Sequence, residues 1–213
     1  TFSVPLPFWI GFDSREPIAF HVFASSLLRR SSVPVSITPL VQSQLRSAGL
    51  YTRERNAMET TEFSMTRFLV PYLCGYTGYA IFADCDMLML ADPAELWAQI
   101  VLMEQAKAAV AVCPHSYVPK SETKMYGMPQ TAYPRKNWSS FMIFNNARCK
   151  ALTPDYVNTA TGLQLHRFVW LGETPIWNLD LAWNHLVGEY PDDPKAKNLH
   201  YTLGGPCFRD YQT

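Results

Sequence analysis

The sequence predicts an α/β fold, a largely parallel sheet with helices on both faces. Two observations carry this. Short apolar runs of strand length alternate with segments whose apolar residues recur at helical spacing. The chain of 213 residues is also 48% hydrophobic and 14% aromatic, enough for a sizeable core, with no internal repeat, low-complexity tract or linker.

The elements follow in order. PFWIGF (7–12) is a short apolar strand. EPIAFHVFASSLLRRS (16–31) is a helix, with Ile18, Val22, Phe23, Leu27 and Leu28 at helical spacing. PVSITPL (34–40) reads as a strand. TEFSMTRFLVPYLCG (61–75) reads as a helix with Thr61 as its cap, Phe63, Phe68 and Leu69 as apolar positions and Gly75 at its end; Pro71 should kink or shorten it. GYAIFADCD (78–86) is a buried strand. DPAELWAQIV (92–101) is a short helix capped by Asp92, with Pro93 in its first turn. AAVAVCPH (108–115) and WSSFMIFNN (138–146) are strands, and PIWNLDLAWNHLVG (175–188) is partly helical.

Composition narrows the function. Lys plus Arg equals Asp plus Glu at 18 each, so bulk charge does not point to nucleic acid or to anionic lipid. No apolar stretch reaches the roughly 18 residues of a membrane span. The five cysteines (Cys74, Cys85, Cys113, Cys149, Cys207) are odd in number, lack a CxxC and sit in apolar contexts. They read as reduced thiols of a cytoplasmic protein. The chain starts without Met and lacks a basic leader, and is expected to be trimmed or processed.

In AIFADCDMLML (80–90), two carboxylates, Asp84 and Asp86, stand where a core strand runs out. Ligands of open α/β sheets bind at that edge. Carboxylates at i and i+2 repel if they converge, and a divalent cation removes the repulsion. Mg²⁺ and Mn²⁺ suit such hard oxygen ligands and leave positions for water and phosphate. Each Asp alone could equally cap a turn. Downstream, LHYTLGGPCF (199–208) offers His200 as a third ligand and Gly204-Gly205, whose backbone amides can approach a phosphate closely. Alone, His200 could be a satisfied core histidine and the glycines an ordinary turn.

The combination resembles the GT-A glycosyltransferases, and within them the glycogenin-like, family 8 type. The residues that carry the resemblance are the opening strand WIGFDSRE (9–16), Arg67 on the segment before the apolar strand, Asp84-Cys85-Asp86, and His200-Tyr201-Thr202 with Gly204-Gly205. Arg67 stands where the family usually has Lys, and Pro206-Cys207-Phe208 replaces the family's Lys-Pro-Trp-like ending. Ser139 and Ser140 fall at the sugar-facing positions of an FNSG-type strand.

The resemblance implies a GT-A (Rossmann-like) mixed, mostly parallel central sheet flanked by helices, forming one catalytic domain over 1–213 that could be excised from a longer protein. It implies sugar transfer from a UDP-sugar to a glycan, lipid or protein acceptor, with retention of anomeric configuration and Mn²⁺ or Mg²⁺ as cofactor. Asp84, Asp86 and His200 are assigned to the metal. Phe12, Asp13, Arg15, Arg67, Asp84, Cys85, Asp86, Ser139, Ser140, Gly204 and Gly205 are assigned to the donor nucleotide-sugar, Cys85 through its backbone if its side chain faces the core. Arg67 is also the candidate cation over the diphosphate or donor sugar, with Lys136 a weaker one. The family's DQ pair is not intact; Asp180 is its nearest counterpart and the catalytic candidate, with Trp183 and Asn184 beside it. No side chain is identified as a nucleophile. Rival readings are a nucleotidyltransferase or sugar-nucleotide pyrophosphorylase, and a non-catalytic sugar-nucleotide binding module.

Overall fold

The structure, a computed structural model, describes residues 5–54, 59–116, 123–124, 128–129 and 135–206. Cys207 and Phe208 lie outside these residues. The centre is a six-stranded sheet in the order β2-β1-β3-β8-β5-β9. Its strands are β1 (Leu6–Phe12), β2 (Val35–Val41), β3 (Tyr79–Ala83), β5 (Val110–Val112), β8 (Phe141–Asn145) and β9 (Ile176–Asn178). β1 pairs in parallel with β2 and β3, and β5 with β9. β8 runs antiparallel between β3 and β5, so five strands point one way and one the other. The sheet is mixed and mostly parallel, as the resemblance implied.

Strand sequences match their places. β1 buries Leu6, Phe8 and Ile10 at period two. Ala80, Ile81, Phe82 and Ala83 of β3, and every residue of β8, are buried, as central strands covered on both faces require. Gly11 is tied to packing: a Cβ there would lie 2.4 Å from Cγ of Phe63, so the Phe63 ring occupies the space a side chain would need.

The longest described helix, α1 (Pro17–Arg30), opens on Pro17 and carries Arg29 and Arg30 in its last turn, where cations complement the helix dipole. It buries Phe23, Ser26 and Leu27. Ile18, Val22 and Leu28 remain 58%, 41% and 63% exposed, so the apolar stripe is wider than the face that packs. A short α2 (Gln42–Ser47) follows β2. The 61–75 segment is not one helix. A 3₁₀ turn at Thr66–Leu69 leads into α3 (Val70–Leu73), which starts around Pro71. Proline fits a first turn, where its missing N–H has no partner to lose. α4 (Leu96–Gln105) buries Leu96, Ile100 and Met103, and Asp92 caps the preceding turn by accepting from Ala94 N at 2.9 Å. α5 (Pro154–Thr159) and α6 (Gly162–His166) are short; Thr161 and Gln164 close a capping box on α6. No described helix is long and apolar enough to cross a membrane.

A second, three-stranded sheet positions the site. In it β4 (Met87–Met89) pairs antiparallel with β11 (Asn198–His200), which pairs in parallel with β10 (His185–Leu186). Among the described residues, β6 (Thr123–Lys124) and β7 (Met128–Pro129) also pair antiparallel. The 175–188 segment thus resolves into β9, a 3₁₀ turn at Leu181–Asn184 and β10, without an α-helix.

Candidate active site

β3 belongs to the large sheet and β4 to the small one, so Asp84-Cys85-Asp86 is the link where the chain crosses between them. Asp84 N donates to Ser140 O at 2.9 Å, tying the start of the link to the entrance of β8. Tyr201 N donates to Asp86 O at 2.9 Å, tying its end to the loop after β11. The β4–β11 register sets His200 opposite Met87 and so delivers the imidazole to the carboxylates.

Ligand atoms of Asp84, Asp86 and His200 all lie within 4.8 Å of one another. His200 Nε2 is 3.3 Å from Asp86 Oδ1 and 3.9 Å from Asp84 Oδ2. On the ring's other side, His200 Nδ1 is 2.8 Å from Asn184 Oδ1. The Asn184 amide nitrogen donates to Ser140 Oγ at 2.8 Å, which turns its oxygen toward His200. His200 Nδ1 therefore carries the proton in the neutral ring, and the Nε2 lone pair faces Asp86 Oδ1. Asp86 Oδ1 is buried and has no hydrogen-bond partner among the described residues. Two acceptors at 3.3 Å need a proton or a cation between them. The donor set, two carboxylates and one imidazole, is one that Mn²⁺ accepts, and a Mg²⁺ site would lean on the oxygens. The residues fit a divalent cation.

Arg67 sits beneath this group and is 5% exposed. Its Nη1 is 2.8 Å from Asp84 Oδ1 and donates to Ser139 O at 2.8 Å, while Nε donates to Phe63 O at 3.1 Å. Its guanidinium lies 4.9 Å from the Phe82 ring centroid and 5.4 Å from that of Phe63. Two carboxylates against one guanidinium leave a net negative charge, which a divalent ion would turn into a net positive one.

A cavity of about 450 Å³ opens on the Arg67–Asp84 side, lined in part by Glu59, Ser64, Asn137, Ser139, Ser140 and His166. Ser139 Oγ lies 2.7 Å from His166 Nδ1. His166, which no motif marks, reaches the cavity from the last turn of α6. Asp180 does not line this cavity; it is exposed, and its Oδ1 caps the 3₁₀ turn by accepting from Ala182 N at 2.8 Å. Asn184 is wholly buried against His200 and does not face an open cleft. Trp183, also buried, stacks on Phe141.

The loop after β1 is clasped. The Asp13 carboxylate, itself fully buried, accepts from Arg15 N, Nε and Nη2 and from Glu62 N. Burial opposes its ionisation, but the Arg15 hydrogen bonds outweigh that and hold Asp13 below the usual carboxylate range. Arg15 Nη2 also donates to Thr60 O, and Ser14 bonds Glu62, so this loop is fastened to the 60–62 segment. Phe12 packs edge-on against Phe20. Lys136 is buried.

Glu16, which sequence reasoning did not single out, is 5% exposed on the far side of the Asp84–Asp86 link. Burial, and then the charges of Asp86, Asp13 and Asp84, push its carboxyl up to about 8. Cys85 is fully buried with its Sγ 3.9 Å from Glu16 Oε1, and burial raises its thiol well above the ordinary range. Cys85 thus faces inward. With Asp86, Tyr201 and Gly205, Glu16 lines a small apolar slot. Gly204 has φ +138°, a conformation side chains disfavour, and Gly205 leaves that wall without a side chain.

Sheet order and the acidic link between sheets define a class, the GT-A glycosyltransferase fold. Among solved structures, the apo bifunctional glycosyltransferase WbbM superposes on 96% of this chain with a TM-score of 0.64 and 16% identity. The chain spans 47% of the WbbM chain. The galactosyltransferase LgtC, in complex with donor and acceptor sugar analogs, superposes on 97% of this chain with a TM-score of 0.59 and 10% identity, and the chain spans 91% of it. No protein-family model matches the sequence. The chain belongs to the family of protein CDI of Arabidopsis thaliana, with which it is 47% identical over 211 residues, 96% of this chain and 80% of that protein.

Proposed function

We propose that the chain is a metal-dependent glycosyltransferase of the glycogenin-like, family 8 type, moving a sugar from a UDP-sugar to a glycan, lipid or protein acceptor. The observation that carries this reading is the convergence of Asp84, Asp86 and His200 beside buried Arg67, at the edge of a GT-A sheet. The likeness to a galactosyltransferase bearing donor and acceptor sugar analogs supports it.

In the reaction, the bond from the anomeric carbon to the diphosphate breaks and a bond to the acceptor oxygen forms. The acceptor hydroxyl loses its proton to the departing diphosphate, and the products are the glycoside and UDP. Loss of a diphosphate builds negative charge, and preorganised positive charge is among the largest catalytic terms. Asp84, Asp86 and His200 would hold Mn²⁺ or Mg²⁺, which when bound supplies that charge to the leaving group. Arg67 anchors Asp84 and adds a fixed cation. The Gly204-Gly205 backbone stands where a phosphate could approach closely. Ser139 and Ser140 line the sugar side, while the clasped Phe12–Arg15 loop shapes the nucleotide side. Asp180, which lies outside the cavity beside Arg67, is assigned only its cap on the 3₁₀ turn. Retention belongs to the family 8 reading.

We read residues 1–213 as one catalytic domain. The four described cysteines are unpaired, three of them buried, which supports a reducing, cytoplasmic setting.

Product analysis tests the activity. Incubation with a panel of UDP-sugars and Mn²⁺ should release UDP, slowly into water and faster with acceptor. Formation of UTP and sugar 1-phosphate from a UDP-sugar when pyrophosphate is added would replace this reading with a nucleotidyltransferase. No turnover of any donor would leave a binding module.

A further inference from the structure

We infer that Asn184 is a positioning residue for the divalent-cation site, fixing the tautomer of His200 through a relay that begins at Ser140. This rests on the metal reading of Asp84, Asp86 and His200. The relay is buried throughout: Ser140, Asn184 and His200 are 2%, 0% and 2% exposed. Its members come from three elements: Ser140 from the turn before β8, Asn184 from the turn after β9, and His200 from β11.

Each hydrogen bond has one allowed polarity. Ser140 Oγ–H donates to Asn137 O at 2.7 Å, which is acceptor only. Ser140 Oγ therefore accepts, and the group that reaches it at 2.8 Å is the Asn184 Nδ2 amine. The same amine points to Asn137 O at 3.4 Å. Asn184 Oδ1 is then the atom 2.8 Å from His200 Nδ1, and a carbonyl oxygen can only accept. The proton sits on Nδ1, and Nε2 turns its lone pair toward Asp84 and Asp86. A flipped amide would set its oxygen against the accepting Ser140 Oγ and its N–H donors against His200 Nδ1, forcing the proton onto Nε2 and closing the metal position.

Ring orientation and lone pair are thus set before any cation arrives. Residues that accept from the far nitrogen of a ligating histidine commonly control metal affinity by about 10- to 100-fold. The relay also couples the two sides of the site. Ser140 lines the cavity beside Arg67, and its backbone oxygen accepts from Asp84 N at 2.9 Å. One residue thereby holds both Asp84 and, through Asn184, His200.

Two readouts test this on the full chain. Long-range ¹H–¹⁵N spectra of the metal-free protein should show His200 as the Nδ1–H tautomer, and Asn184→Ala should mix in the Nε2–H form. Calorimetric titration with Mn²⁺ alone should show affinity about 10- to 100-fold weaker in Asn184→Ala. Asn184→Asp, which keeps an accepting oxygen toward Nδ1, should stay within a few-fold of the wild type. It also serves where Asn184→Ala fails to fold. An Nε2–H His200 in the wild type overturns the inference. So does Mn²⁺ affinity unchanged in a folded Asn184→Ala protein. A wild type that binds no Mn²⁺ but shows the Nδ1–H tautomer, lost in Asn184→Ala, sinks the metal reading and leaves Asn184 as the residue that sets the His200 proton.

Discussion

Replacing Arg67 by Met removes the cation beneath the triad while keeping apolar bulk against Phe63 and Phe82. Arg67 is buried, holds Asp84 Oδ1 at 2.8 Å and donates to the carbonyls of Ser139 and Phe63. Removing one partner of a buried ion pair costs about 3–5 kcal/mol, chiefly because the other charge is stranded. The Asp84 side chain keeps 14% exposure, which lets solvent reach the stranded carboxylate and places the loss near the low end, about 3 kcal/mol. With a urea slope of about 2 kcal/mol/M, the midpoint in EDTA should fall by about 1.5 M. If the stranded charge is the cause, Arg67→Met with Asp84→Asn should be more stable than the sum of the single effects allows, by more than about 1 kcal/mol. Mn²⁺ at a hundred times its Kd should return about 2.7 kcal/mol to Arg67→Met. A loss below about 1 kcal/mol, or strict additivity in the double variant, would refute the claim that this pair is buried and coupled.

Three further outcomes follow from the geometry. Glu16 has its folded pKa raised from 4.5 to about 8, so between those values the native state holds a proton the unfolded chain releases. Stability contributed by this group is present below pH 4.5 and is lost as pH rises through 8, by roughly 5 kcal/mol. Glu16→Gln should remove that loss in EDTA, gaining stability over wild type as pH climbs from 5 to 8; equal pH profiles by thermal melts would contradict it. Gly11→Ala must displace the Phe63 ring and should cost about 1–3 kcal/mol in chemical denaturation. Asp180→Ala should lose about 1 kcal/mol through its cap, with Mn²⁺ affinity unchanged by calorimetry, whatever it does to sugar transfer.

The sheet and the triad were legible in sequence for one shared reason. An apolar run such as YAIFA identifies a buried strand locally, and the chain must leave the core where the run ends, so Asp84 and Asp86 could be placed at a sheet edge without knowing any neighbour. His200 was found through spacing to its glycines. What stayed hidden depends on contacts distant in sequence. Arg67 reads equally as a surface charge in sequence; the fold buries it against groups that include Asp84 and Ser139, 17 and 72 positions away. Asn184 looked like a substrate-facing residue until the β10–β11 pairing turned it toward His200. Glu16 sits where a capping residue would sit, and its burial comes from packing against the Asp84–Asp86 link. Periodicity likewise marked Ile18, Val22 and Leu28 as apolar but not that α1 turns them outward.

The measurement that bears most directly on the central claim is calorimetric titration of UDP into the protein with Mn²⁺, then with EDTA, then with Mn²⁺ into Asp86→Ala. Binding with Mn²⁺ that disappears in EDTA and in Asp86→Ala is the expected result. UDP binding indifferent to both metal and mutation, or no UDP binding in a folded protein, would contradict the assignment of Asp84, Asp86 and His200 as a metal–diphosphate site.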